Sequence, residues 1–127
     1  MEQIKNSVSW IEIPVNDFPR AKKFYSEIYD YEMPEMQMGP ALMGFLLMEQ
    51  NPEAVGGAIV KSDGYVPSTQ GSRVYLNGGN DLNTVLNRVE AAGGKIITPK
   101  MEITPEIGFF ATFEDTEGNY ISLHSRH

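Results

Sequence analysis

Apolar and polar residues alternate strictly from Val8 to Val15, with Ile11, Ile13 and Val15 on one face and Trp10, Glu12 and Pro14 on the other. That is the signature of a half-buried strand. Phe18, Ala21, Phe24, Tyr25 and Ile28 then recur at helical spacing, which predicts an amphipathic helix over the Ile/Val face, capped by Asp17 and tolerating Pro19 in its first turn. Three more strands are predicted, Tyr31 to Met38, Ala41 to Glu49 and Val55 to Lys61, parted by Gly39-Pro40 and by Asn51-Pro52-Glu53. Gly56-Gly57 inside the third reads as a bulge or a close backbone approach.

The same order then returns. WIEIPVND feeds the helix FPRAKKFYSEIY in the first half, and VYLNGGND feeds LNTVLNRVEAAGG in the second. A polar stretch, Ser62 to Gly71, separates them. A strand near Ser72 to Leu76 leads past Gly78-Gly79 to Asp81, a second candidate cap, and Leu82, Val85, Leu86, Val89 and Ala92 line one side of a second helix closed by Gly93-Gly94. Lys95 to Thr98, Ile107 to Glu114 and Tyr120 to Ser125 supply three strands, with Asp115-Thr116-Glu117-Gly118-Asn119 as the turn before the last. The predicted order is βαβββ twice. It corresponds to one α+β domain with module 1 at about 6–62, a linker at 63–71 and module 2 at about 72–127, and internal duplication of this kind predicts two pseudo-symmetric halves with a cavity between them.

Length and composition narrow the class. A chain of 127 residues, 41% hydrophobic and 21% charged, is expected to fold as one globular domain. Without cysteine, neither a disulfide framework nor thiolate chemistry is available, and a cytoplasmic protein is expected. No apolar run approaches the roughly 18 residues that cross a bilayer, and no signal segment is read at the N-terminus. A net charge of −7 with no Lys/Arg cluster argues against nucleic acid and anionic membrane as partners.

With the repeat, the helix-closing glycines of VEAAGGKIITP and the ending GFFATFEDTEGNYISLHS in view, the chain resembles the vicinal oxygen chelate superfamily. That group includes glyoxalase I, extradiol dioxygenases, methylmalonyl-CoA epimerase and the bleomycin and fosfomycin resistance proteins. The resemblance spans nearly the whole chain and implies that each βαβββ module curls into a sheet, the two mixed sheets forming a partly closed barrel. It also implies a homodimer, in which modules are sometimes exchanged. Metal-using relatives hold a divalent ion with His, Gln or Glu from the first and last strands of both halves. Here the matching positions are Trp10, the stretch Arg73, Val74 and Tyr75, and Ser122, while the fourth strand AVGGAIVK offers no carboxylate or imidazole. Tryptophan has no lone pair to give, its indole nitrogen being only a donor. No metal and no cofactor is therefore expected.

Glu12 is the leading catalytic candidate, with Tyr75 and His124 beside it. It shares a face with Trp10 and Pro14, opposite the isoleucines, and a carboxylate enclosed there suits acid or base work; the structural alternative is that this face is wet, or that the carboxylate accepts hydrogen bonds from backbone or from Tyr75. His124 shares strand parity with Ser122 and reads as a strand-end histidine or as a titrating group at a cavity rim. Trp10, Phe45, Phe109 and Ser122 are candidate substrate contacts, although alternation lets only one of Phe109 and Phe110 face a pocket. Glu114, Asp115 and Glu117 fall in or beside a turn and are expected to be solvated. The expected function is a glyoxalase-like protein that takes a small organic molecule into the barrel, either as a metal-independent lyase or isomerase with Glu12, or as a non-catalytic drug-binding protein. A metal-dependent lyase or dioxygenase using Glu12, Tyr75 or His124 is the third alternative.

Overall fold

The computed structural model describes residues 3–47 and 51–127. The chain runs β1 (Trp10–Pro14), α1 (Phe18–Tyr29), β2 (Glu35–Met38), β3 (Ala41–Leu46), β4 (Gly56–Lys61), β5 (Val74–Asn77), α2 (Asn83–Leu86), β6 (Lys95–Thr104), β7 (Gly108–Glu114) and β8 (Tyr120–Ser125). Two four-stranded mixed sheets result, ordered β1-β4-β3-β2 and β5-β8-β7-β6. In each, the first strand is parallel to the last and the remaining pairs are antiparallel. The two sheets do not join into a closed barrel.

Helix α1 follows from its sequence. Asp17 accepts the Arg20 N–H at 3.1 Å, and Asp30 takes a left-handed conformation (φ 53°) that ends the helix. Phe18, Ala21, Phe24, Tyr25 and Ile28 are its buried residues, and one core includes them together with Ile13 and Val15 of the first module and Leu82, Val89, Phe113 and Leu123 of the second. Gly44 lies against this packing, since a Cβ there would meet the Met33 sulfur, Ile59 and Phe18.

Several elements differ from expectation. Regular α2 covers only Asn83–Leu86; beyond it the chain continues in tighter turns, with Arg88 N–H donating to Val85 and Val89 N–H to Leu86. Asn83, Thr84 and Asn87 are weak helix formers, yet Leu82, Val85, Leu86 and Val89 are all buried. Asp81 caps by accepting the Asn83 N–H at 2.9 Å. Strand β2 begins only at Glu35 because Tyr31 is taken into the helix end, its N–H bonding Ser26, and Pro34 lacks an N–H. Strand β3 ends at Leu46, and Leu47 turns into a left-handed φ of 47°; the last two residues of the expected strand, 48 and 49, lie outside the described residues. Strand β6 extends through Pro99 to Thr104 with register shifts beside β7, as an edge strand permits.

The largest departure concerns the turn before β8. Asp115, Glu117 and Asn119 are 4%, 8% and 5% exposed, so the two acids are buried rather than solvated. Every carboxylate oxygen is partnered, and the partners lie in both modules. Glu117 Oε1 accepts the N–H groups of Asn16 and Asp17 at 3.0 and 2.7 Å, and Oε2 accepts Arg20 Nε at 2.8 Å and the Thr116 hydroxyl at 3.0 Å. Asp115 Oδ1 accepts the N–H groups of Glu117 and Asn119, both at 2.9 Å. Its Oδ2 accepts the Tyr25 hydroxyl at 2.8 Å. Asn119 Nδ2 donates to Pro14 O at 2.8 Å and to Asp115 Oδ2 at 3.0 Å, while its Oδ1 accepts the Ser68 N–H at 3.0 Å.

Burial pushes the Glu117 carboxyl up, but the Arg20 guanidinium, the Asp17 N–H, the Thr116 hydroxyl and the Asn16 N–H outweigh it and hold the group below its ordinary value of 4.5. Burial first, and then Asp115, raise the Tyr25 phenol well above 10.0. Because Glu117 binds its proton less readily when folded, its contribution to stability is complete above the ordinary value and is lost as pH falls through the lowered one. Glu117→Gln is expected to cost about 2 kcal/mol at pH 7 and to flatten the acid limb of stability, as read from urea midpoints between neutral and acid pH. An unchanged midpoint at pH 7 would contradict this.

Candidate functional site

Strand parity gives the first sheet an open face. The cross-strand register aligns Glu12 with Ala58 and Ala58 with Phe45, and aligns Val60 with Met43 and Met43 with Met36. Ala58, Val60 and Met43 are buried and form a small apolar floor, against which Phe45 packs. Trp10 meets Phe45 edge-on at 6.2 Å between centroids. Its indole N–H donates to Glu12 Oε2 at 3.3 Å, and the Tyr65 hydroxyl donates to Oε1 at 2.7 Å. The bond to and the charge of Glu12 raise the Tyr65 phenol.

Glu12 therefore faces as parity predicts but is exposed, not enclosed. Glu12 lies on β1, an outer strand of its sheet, whereas Ala58, Val60 and Met43 further in on the same face are buried. Its partner is Tyr65 rather than Tyr75. Tyr65 was not singled out from the sequence, where it stands in the polar stretch SDGYVPSTQG; its one signal is an aromatic ring among turn residues.

On the second sheet, Tyr75 aligns with Ser122 and Ser122 with Thr112, while Asn77 aligns with His124 and His124 with Phe110. Ser122 and Thr112 are buried, and their hydroxyl oxygens bond each other at 2.8 Å. His124 Nε2 donates to Ile107 O at 2.7 Å, a structural bond that bridges β8 to the loop before β7. Phe109 packs on the central core with Lys100 Nζ 4.6 Å above its ring, so Phe110, not Phe109, shares the face of His124. No hydrogen bond links Glu12, Tyr75 and His124; Glu12 is bonded to Trp10 and Tyr65 and His124 to Ile107 O.

A partly open groove of about 1800 Å³ lies between the modules. This exceeds the roughly 300–1,000 Å³ of ordinary small-molecule sites, as an open groove does. Its walls include Tyr29 at the end of α1 and Tyr31 after it, Phe45, Leu46 and Leu47 at the end of β3, the edge of β5 from Val74 to Asn77, Thr84 and Val85 of α2, and Arg88 beyond it. Tyr29 ties the walls together, its hydroxyl donating to Asn77 O at 2.8 Å. Tyr31 fixes the lip, donating to Phe45 O at 2.7 Å and accepting the Leu47 N–H at 3.4 Å. Burial raises both phenols, so both remain neutral donors near neutral pH. Of the candidate residues, Phe45 and Tyr75 line this groove, Trp10 adjoins it through Phe45, and Glu12, Ser122 and His124 are not among its walls. Tyr29 and Arg88 were missed as site residues because helical spacing assigns Tyr29 no special role and Arg88 to a polar helix face.

The positions that hold a divalent ion in metal-using relatives do not fit one here. The Trp10 nitrogen is a donor spent on Glu12, the Ser122 hydroxyl is closed into a pair with Thr112, and among the described residues no three His, Cys, Asp or Glu side chains converge to hold a cation. No helix among the described residues is long and apolar enough to cross a membrane.

The family model described as Glyoxalase/Bleomycin resistance protein/Dioxygenase superfamily matches residues 7–123. A glyoxylase-like domain-containing protein of Didymella fabae is 28% identical over 128 residues, 97% of this chain and 96% of that protein. Among solved structures, a glyoxalase I mutant from Zea mays superposes with a TM-score of 0.66 at 18% identity, covering 92% of this chain and 45% of that one; this chain thus spans about half its length. TnmS3, an antibiotic binding protein from Streptomyces sp. CB03234, superposes with a TM-score of 0.61 at 21% identity over 98% of both chains. At these identities the superpositions establish a shared fold.

Protein purified without a polyhistidine tag is expected to carry far less than one equivalent of nickel, zinc or manganese by mass spectrometry, with a melting temperature insensitive to EDTA. One tightly held equivalent would overturn this assessment of the donors.

Proposed function

The chain belongs to the Glyoxalase/Bleomycin resistance protein/Dioxygenase superfamily, and from that premise we propose that it binds a small organic molecule in the groove between its modules without transforming it. One observation carries the reading: an open, aromatic-walled groove lies apart from every candidate catalytic side chain except Tyr75. Apolar burial against Phe45, Leu46, Val74 and Val85 supplies the affinity, at about 25 cal/mol for each Å² removed from water. Tyr31 and Tyr29 pre-organise the walls, so little ordering cost falls on the ligand. The antibiotic-binding neighbour supports the same assignment by fold.

A second reading has one observation in its favour. Glu12 is held by two donors, Trp10 and Tyr65, and a positioned carboxylate is what a general base needs. The groove and Glu12 act on different quantities, so they separate experimentally. Trp10, the one tryptophan of the chain, touches Phe45 and reports on binding through its emission. A panel of aromatic compounds is expected to include ligands that quench or shift this emission and are recovered unaltered by chromatography. Phe45→Ala should weaken them about tenfold, the loss of one buried aromatic contact, whereas Glu12→Gln should leave affinity within about twofold. Recovery of a product that disappears in Glu12→Gln would replace binding with acid–base catalysis.

A further inference from the structure

Resting on the binding reading, we infer that the groove selects a planar organic anion, a carboxylate or sulfonate on an aromatic body, which Arg73 and Arg88 hold beside Tyr75. A chain with 17 acidic and 10 basic residues repels anions at long range, so an anion binds only where cations are locally unmatched. Of the eight other cations four are engaged, and the remaining four, Lys5, Lys61, Lys95 and Arg126, do not line the groove. Arg20 pairs with Glu117, Lys22 with Glu35, Lys23 with Glu27 and Lys100 with Asp81.

The two groove arginines are fixed by contacts that do not neutralise them. The Arg73 guanidinium lies over the Tyr120 ring at 5.5 Å, and Arg88 Nη1 donates to Ile28 O at 3.2 Å. Neither has a carboxylate within ion-pair distance among the described residues. Each keeps further N–H donors, because a guanidinium carries five, and a guanidinium already held in place loses less freedom on receiving a carboxylate.

Two acids also line the groove, Asp81 and Glu32. Asp81 is satisfied by Lys100 and the Asn83 N–H, both at 2.9 Å. Glu32 has no ion-pair partner among the described residues and sets an upper limit on the charge accepted, favouring one compact anionic group over a polyphosphate. Tyr29 is committed to Asn77 O, whereas Tyr75 is 56% exposed and offers a free ring for the ligand body to stack on.

The test compares two fluorescent probes with the same rings, anilinonaphthalene sulfonate and uncharged phenylnaphthylamine. The sulfonate is expected to bind at one site per chain at least about tenfold tighter, the gain of a charge-assisted contact, and to weaken with added salt. Arg73→Gln and Arg88→Gln should each bring the sulfonate to near parity with the uncharged probe, while Phe45→Ala weakens both. Arg88 bonds the end of α1 and its loss risks unfolding, so Arg73→Gln, at an exposed side chain, serves as the second variant, with retained melting temperature as the criterion. Equal affinity for the two probes in the unaltered protein would sink the anion selectivity and leave the binding reading standing. Absence of saturable binding by either probe would sink both.

Discussion

Glu117 sits at the N-terminus of a helix that belongs to the other half of the chain, and the rest of the architecture depends on that contact. Its carboxylate, with no exposed side-chain surface, receives the first N–H groups of the α1 region, and a helix N-terminus is where a negative charge is favoured. Two residues earlier Asp115 takes the Tyr25 hydroxyl, and two residues later Asn119 reaches the carbonyl at the end of β1 and the N–H of Ser68. A single five-residue turn thereby fixes where the second sheet lies against α1. Once that position is set, the other end of α1 delivers Tyr29 to the edge of β5, and Arg88 returns the connection from beside α2 to Ile28 O. The groove is what remains open between these two lines of attachment.

Much of this was legible in the sequence, and the reasons differ by element. The helical spacing of α1 named its five buried residues, because one-sided burial is a local pattern. The same pattern named Leu82, Val85, Leu86 and Val89 although the backbone there is only briefly α-helical; burial follows side-chain spacing, and hydrogen bonding follows propensity. Asp115 and Glu117 were misread as solvated, since acids in a turn ordinarily face water and their partners Tyr25 and Arg20 lie 90 and 97 residues away. Glu12 shows the division within one residue. Parity placed it opposite Ile11, but its exposure follows from the place of β1 at the edge of the sheet, which the pattern of one strand does not carry. A cavity between the halves was expected from the repeat, but most of the residues that wall it were not legible, because they come from helix ends and strand edges that no periodicity marks.

The vacant metal positions have been put to other uses. Trp10 steadies Glu12 and braces Phe45, and Ser122 closes with Thr112 into a self-satisfied pair that leaves no buried polar atom wanting. Such replacements keep the sheet faces stable without an ion, consistent with one scaffold hosting different sites. In the binding proposed above, recognition then falls to shape, aromatic surface and the two arginines.

Strand β6 carries Pro99 and register shifts along an outer edge whose neighbours Ile97, Met101 and Ile103 are well exposed. A straight strand of that composition would template the addition of further chains, strand upon strand. A missing amide hydrogen and a broken register deny an incoming strand a continuous ladder, so an irregularity that shortens local pairing inside the molecule also guards against fibrous self-assembly at high concentration.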